Sequence, residues 1–80
     1  MDKKEKILQE IRSIFRNELG DKDLQLEYES TTKTVEKWDS MTNVILLSAI
    51  EERYSIVFPI DFIFNAENVG DLCDYVLNNA

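Results

Sequence analysis

The sequence predicts an all-α fold, a small four-helix bundle of three main helices and one short helix, with a long loop between helices 1 and 2. Three segments carry apolar residues at steps of three and four, which is the spacing of one helix face. Only one proline and two glycines interrupt the chain. Its 80 residues, 44% of them hydrophobic, have room for one core, so we expect a single domain over residues 1–80.

The first amphipathic segment ends at Gly20, where a left-handed residue would close a helix, so we expect helix 1 to end near Leu19. Its apolar positions are Ile7, Leu8, Ile11, Ile14, Phe15 and Leu19. Residues 20–37 show no helical period and predict a long loop. Scattered apolar residues should pin this loop to the core, namely Leu24, Leu26, Tyr28 and Val35.

Helix 2 should begin at Asp39 or Ser40, because both residue types are good N-caps. Ser40 with Asn43 three positions later resembles a weak capping box. The positions that can face the core are Leu46, Leu47, Ala49, Ile50 and Tyr54. Met41, Val44 and Ile45 fall largely on the other side, which is unusually apolar for a surface.

The C-terminal third predicts two more helices. Ile56 and Phe58 precede Pro59 in an extended stretch and should point into the core. Residues 61–64 are long enough for about one turn of a short third helix. Asn68 is a suitable N-cap for the last helix. The predicted apolar stripe of that helix is Val69, Leu72, Cys73, Val76 and Leu77.

The composition excludes several functions. Sixteen acidic and nine basic residues give a net charge of −7, which would repel nucleic acid and anionic lipid. The absence of His and the single Cys exclude His-dependent nucleophilic catalysis, Cys/His zinc sites and internal disulfides. A calcium loop starting at Asp21 fails, because its sixth and twelfth positions are Leu26 and Thr32. We therefore predict no metal site and no catalytic residue.

The N-terminal segment predicts a cytoplasmic protein. Residues 1–6 are charged and lead into an amphipathic pattern, unlike the apolar core of a signal peptide. No run approaches the roughly 18 apolar residues of a membrane span. A lone cysteine also suits a reducing compartment.

The most informative segment is residues 38–41. Asp39-Ser40 before an apolar helix is, by itself, most simply a cap, and Trp38 should be a loop anchor whose indole N–H finds a carbonyl. An ordered set of residues follows Ser40. It comprises Val44, Leu46, Leu47, Ala49, Ile50, Glu51, Glu52 and Tyr54, then Ile56, Phe58 and Pro59, then Val69, Asp71, Leu72, Tyr75 and Val76. With the length and acidity of the chain, this set resembles the acyl carrier protein family over most of the sequence.

The resemblance implies a carrier and not an enzyme. Ser40 stands at the family's attachment serine for 4′-phosphopantetheine, which comes from coenzyme A, and Met41 replaces the usual Leu. The thiol of the arm would hold acyl intermediates of fatty-acid or specialised acyl metabolism as thioesters. Expected partners are a phosphopantetheinyl transferase and the acyl-loading and acyl-transferring enzymes. The protein itself is expected to be a monomer. A helix N-terminus at Ser40 would also favour the anionic phosphate.

Charge and apolar character together predict a docking surface. Residues 1–38 carry nine acids and eight bases, whereas residues 39–80 carry seven acids and one base. Such asymmetry steers basic partners. The expected partner-binding residues are Asp39, Met41, Val44, Ile45, Glu51 and Glu52. Thr42 and Ile45 stand where many fatty-acid carriers have acidic residues, and Phe64 lies in a third helix that is usually more polar, which favours a dedicated partner with an apolar patch.

Two alternatives stay open. An aminoacyl or peptidyl carrier would use the same serine, Ser40. An unmodified helical adaptor would bind partners through the Met41-Val44-Ile45 face and would carry no covalent arm. For an acyl carrier, any cargo pocket should open between helices, with candidate lining residues Leu46, Ile50, Phe58, Phe62, Val69 and Leu72.

Overall fold

The computed structural model describes residues 2–66 and 68–80. Its helices are α1 at Lys3–Leu19, α2 at Ser40–Tyr54, α3 at Ile60–Asn65 and α4 at Val69–Asn79. The described ranges contain no strand. The predicted all-α class, the short third helix and the long first connection are therefore confirmed. No helix within these ranges has both the length and the apolar character needed to cross a membrane.

Local capping fixes both ends of α1. The Glu5 backbone N–H donates to Asp2 Oδ1 at 2.8 Å before the first turn. Gly20 adopts the left-handed conformation with φ of 64° and donates its N–H to the Arg16 carbonyl. Because this conformation strains any residue with a Cβ, glycine ends the helix at the predicted place. Four apolar residues of α1 are buried, namely Ile7, Leu8, Ile11 and Phe15.

Its own apolar side chains pin the long loop, as predicted. Leu26 is fully buried and Val35 is buried, while Leu24 and Tyr28 are half-buried against the core. The start of α4 also holds the loop, because the Gly70 N–H donates to the Tyr28 carbonyl at 2.8 Å. A Cβ on Gly70 would lie 3.3 Å from that same oxygen, so this close approach favours glycine.

Two arginines of α1 hold the loop from the other side. Nε and Nη2 of Arg12 both donate to the Leu26 carbonyl, at 3.0 and 2.6 Å. Nε of Arg16 donates to the Leu24 carbonyl at 2.8 Å. These carbonyls lie in a loop outside any helix or sheet. The guanidinium groups therefore supply the hydrogen-bond donors that a helix or a sheet would otherwise provide.

The core is entirely apolar among the described residues. Its buried members include the predicted Leu46, Leu47 and Ile50 of α2, together with Ile56 and Phe58. Cys73 is also fully buried, and this burial raises the pKa of its thiol to about 11, which keeps it protonated at neutral pH.

One predicted core position is wrong. Leu77 is 38% exposed, whereas Val69, Leu72, Cys73 and Val76 are buried at spacings of three and four. Leu77 lies at the edge of that stripe, beside Lys3 and Lys6 in the exposed first turns of α1.

α1 and α2 run antiparallel, and side-chain contacts fasten both ends of the pair. At one end, the Glu10 carboxylate accepts a hydrogen bond from the Tyr54 hydroxyl and pairs with Arg53 at 2.7 Å. Burial, and then the Glu10 carboxylate, raise the pKa of the Tyr54 phenol. At the other end, the rings of Phe15 and Trp38 pack edge to face with centroids 4.9 Å apart. The start of α2 is therefore held directly against the core.

Candidate functional site

Asp39 caps α2. Its Oδ1 accepts the backbone N–H of Met41 and of Thr42, both at 2.9 Å, and the Thr42 hydroxyl accepts the Asp39 N–H at 2.8 Å. The predicted capping box of Ser40 and Asn43 is therefore wrong by one residue. Asp39 has the extended backbone of an N-cap, so Ser40 is the first residue of the helix.

The Ser40 side chain is exposed at the first position of α2. Its hydroxyl makes no hydrogen bond within residues 2–66 and 68–80, and the neighbouring Asp39 carboxylate is turned to backbone amides. The described residues therefore supply no base hydrogen-bonded to this hydroxyl. The geometry suits a hydroxyl that accepts a group transferred by another protein.

The cap changes what an anion on Ser40 would meet. The hydrogen bonds from the backbone N–H groups of Thr42 and Met41 lower the pKa of Asp39, so its carboxylate stays charged beside Ser40. Two of the first-turn donors that would attract a phosphate are already used. The expected attraction of phosphate to this helix end is thus reduced, and a like charge stands next to it.

The acid stability of the protein should report this cap. Because the pKa of Asp39 is lowered in the folded state, its charged form stabilises the fold above the ordinary carboxyl pKa, and this contribution is lost as pH falls through the folded value. We expect Asp39→Asn, which keeps an oxygen acceptor, to lack that part of the pH dependence. The measurement is the thermal midpoint of both proteins between neutral and strongly acidic pH.

Asp23→Asn is the matched control, because Asp23 is exposed and its carboxylate accepts no hydrogen bond from the described residues. Its midpoint should follow the wild-type curve. Parallel curves for wild type and Asp39→Asn would contradict the charged cap.

Trp38 braces the turn ahead of Ser40. Its side chain is only 5% exposed, and Nε1 donates to Oδ1 of Asn43 at 2.9 Å. The sequence predicted a loop anchor with a carbonyl partner for the indole N–H. The anchor is confirmed, and the partner oxygen belongs to a side-chain amide in the first turns of α2.

A cleft of about 450 Å³ opens beside Ser40. Its walls come from the long loop, the start of α2, α3 and α4, and its lining residues are Thr32, Trp38, Asp39, Ser40, Asn43, Ile63, Phe64, Ala66 and Leu72. This volume lies within the usual range of about 300–1,000 Å³ for small-molecule sites. Both polar and apolar residues line it, which suits an amphipathic ligand.

The residues predicted to line an acyl pocket lie mostly in the packed core. Leu46, Ile50 and Val69 have no exposed surface, and Phe58 is buried. Only Leu72 of that set reaches the cleft. Sequence reasoning missed the cleft because helical periodicity does not indicate where a loop residue such as Thr32 will lie.

The predicted partner-binding residues differ in how exposed they are and in what they bind. Met41, Val44 and Ile45 are 80%, 59% and 53% exposed along α2, and Asp39 and Glu52 are exposed as well. Asp39 and Met41 adjoin Ser40 in sequence, and Val44, Ile45 and Glu52 follow along α2.

Glu51 differs from its neighbour Glu52. It is half-buried, and its Oε2 accepts the Phe58 N–H at 2.7 Å. That bond ties the end of α2 to the segment before Pro59. One carboxylate of the pair therefore has a structural role that the sequence analysis did not identify.

Comparisons with known proteins place this geometry among phosphopantetheine-bearing domains. The family model described as the phosphopantetheine attachment site matches residues 9–76. A solved structure, the solution NMR structure of a holo acyl carrier protein from Geobacter metallireducens, is similar with a TM-score of 0.83 and 30% sequence identity. The similarity covers 90% of this chain and 83% of that chain. No curated protein matches the sequence.

Proposed function

Because this chain belongs to the phosphopantetheine attachment site family, an acyl carrier type with a covalent 4′-phosphopantetheine, we propose that Ser40 bears that arm. The observation that carries the proposal is the exposed, unbonded Ser40 hydroxyl at the first position of α2, inside the matched segment and beside the cleft. We further propose that residues 1–80 act as one carrier domain.

The residues around Ser40 fit the arm. The hydroxyl is accessible for covalent attachment, and the cleft offers both Asn43 and Thr32 as polar groups and Phe64 as an apolar wall. The bound arm supplies a thiol that holds an acyl group as a thioester. The chain contributes the attachment point and the surface, and partner enzymes supply the chemistry.

In this proposal, partner enzymes are attracted by acidic residues and then contact apolar side chains on α2. Met41, Val44 and Ile45 would make the close contacts, because exposed apolar side chains in one patch mark interaction surfaces. Asp39 and Glu52 would attract basic partners at longer range. Since Glu51 binds the Phe58 amide, it would contribute charge with little freedom to reorient.

The same face supports a role in specialised acyl metabolism over general fatty-acid synthesis. Phe64 on α3 is 80% exposed and lines the same cleft as Ser40. A large exposed aromatic side chain beside the proposed attachment site favours a partner with a complementary apolar surface. The proposed partners are therefore a phosphopantetheinyl transferase and a dedicated acyl-handling enzyme.

Charge reversal at Glu52 tests the steering part. We expect Glu52→Lys to slow phosphopantetheinylation most at low salt, with the difference shrinking as the screening length falls to about 10 Å near about 0.1 M. The measurement is the initial rate of modification across a salt series. Glu18→Lys, the same change on the exposed face of α1, should leave the salt dependence as in wild type. An unchanged salt dependence for Glu52→Lys would remove Glu52 from the docking surface.

Intact mass tests the proposal as a whole. Incubation with coenzyme A and a broad-specificity phosphopantetheinyl transferase should add one phosphopantetheinyl group to the wild type. A wild type that stays unmodified with several such transferases would contradict the proposal and favour an unmodified adaptor.

A further inference from the structure

Asn43 shares the cleft with Ser40. It lies three positions further along α2, so the two side chains project from the same face with Cβ atoms about 5–6 Å apart. Asn43 is half-buried, in contrast to the exposed Ser40. A group attached to the Ser40 hydroxyl therefore begins within reach of the Asn43 side chain.

The orientation of the Asn43 carboxamide is fixed. The indole N–H of Trp38 can only donate, so the atom that it meets at 2.9 Å is Oδ1. Trp38 is itself held by its edge-to-face contact with Phe15. The remaining branch, Nδ2, donates to no acceptor in the described part of the chain. Asn43 thus presents two N–H donors whose orientation is set before any ligand binds.

A neutral donor beside Ser40 would stabilise a phosphodiester attached there. Asp39 places a charged carboxylate on one side, and that carboxylate uses the backbone N–H groups of Met41 and Thr42. A phosphodiester on Ser40 is repelled from that side. The Asn43 amide lies toward the cleft and is neutral, so it can stabilise the anion without a counter-charge.

We propose that Asn43 is a positioning residue for the arm: its Nδ2 donates a hydrogen bond to a phosphodiester oxygen on Ser40 and turns the arm from Asp39 toward the cleft wall at Phe64. The inference rests on the proposed attachment at Ser40. Trp38 acts through Asn43, because it fixes which half of the carboxamide faces the cleft.

Side-chain NMR gives the direct test. Apo protein and mass-verified holo protein, labelled with ¹⁵N, are compared. The two Asn43 Nδ2 protons should shift on conversion to holo protein, whereas those of Asn17 and Asn78, which lie outside the cleft, should stay in place. Unmoved Asn43 protons in a fully modified sample would overturn the inference and leave attachment at Ser40 intact. If no holo protein forms, both proposals fail together.

Asn43→Asp removes the donor while keeping an oxygen for Trp38. In the holo form, we expect its phosphodiester ³¹P resonance to shift relative to wild type, and its thermal midpoint to fall more on modification than that of wild type. Gln9→Glu is the matched control, because it makes the same amide-to-carboxylate change at an exposed position of α1 away from the cleft. Unshifted backbone amide resonances of the buried core residues Ile11 and Leu26 show that the variant keeps the fold. A ³¹P resonance identical to wild type would overturn the inference.

A change at Trp38 separates positioning from bulk packing. Trp38→Phe keeps an aromatic ring against Phe15 and removes the indole donor, so the Asn43 carboxamide can flip. We expect the holo-induced shift of the Asn43 protons to shrink in this variant. A shift of full wild-type size would show that Trp38 does not set the orientation.

Discussion

Phe15→Ala lowers the free energy of unfolding by about 3–5 kcal/mol, the range observed for truncating a fully buried aromatic side chain. Phe15 has no exposed surface and packs edge to face against Trp38 with ring centroids 4.9 Å apart. The truncation therefore leaves a cavity beneath the turn that leads into Ser40. Urea unfolding followed by circular dichroism measures the loss.

Ile45→Ala is the control for this substitution. Ile45 is 53% exposed on α2, so its truncation should change stability by no more than about 0.5 kcal/mol. If Phe15→Ala cost as little as Ile45→Ala, the ring contact with Trp38 would not be a central part of the core.

Arg12→Met destabilises the protein by about 1.5–3 kcal/mol, the usual value for hydrogen bonds made by a charged group. Methionine keeps the apolar stem of the side chain, but the Leu26 carbonyl loses donors at 3.0 and 2.6 Å. The loop from residue 20 to residue 39 should also exchange its amide protons faster. Urea unfolding gives the stability, and hydrogen exchange gives the local effect.

The matched control is Arg53→Met. Arg53 is 53% exposed and makes a surface ion pair with Glu10, so we expect a loss below about 1 kcal/mol. Equal losses in the two variants would contradict the assignment of Arg12 as the residue that fastens the loop.

Helical periodicity was sufficient to predict most of this fold. α1 and α4 bury apolar residues at the predicted spacing, and Gly20 closes α1 at the predicted residue. Leu77 was the exception: it continues the predicted stripe, but it is 38% exposed.

The start of α2 shows why local sequence was insufficient for the cap. Asp39 with Thr42, and Ser40 with Asn43, are both residue pairs that can cap a helix, one position apart. The Thr42 hydroxyl also donates to the Lys37 carbonyl at 2.9 Å, and Asn43 is engaged by Trp38. These contacts with the two residues just before Asp39 select the first pair.

Other features depended on where the loop lies in space. The bonds from Arg12 to the loop join residues 14 positions apart, and the cleft brings Thr32 beside Phe64 and Leu72. The bond between Glu51 and the Phe58 N–H depends on how the chain turns after α2. No periodic pattern encodes such contacts. The family resemblance did predict the arm, which the family match supports.

Fragmentation mass spectrometry of the modified protein tests the central claim most directly. Wild type treated with coenzyme A and a phosphopantetheinyl transferase should carry one group, and the fragments should place it on Ser40. Ser48→Ala, which alters an exposed serine of the same helix, should be modified like wild type, whereas Ser40→Ala should gain no mass. A group found on any other residue, or modification of Ser40→Ala, would contradict the account.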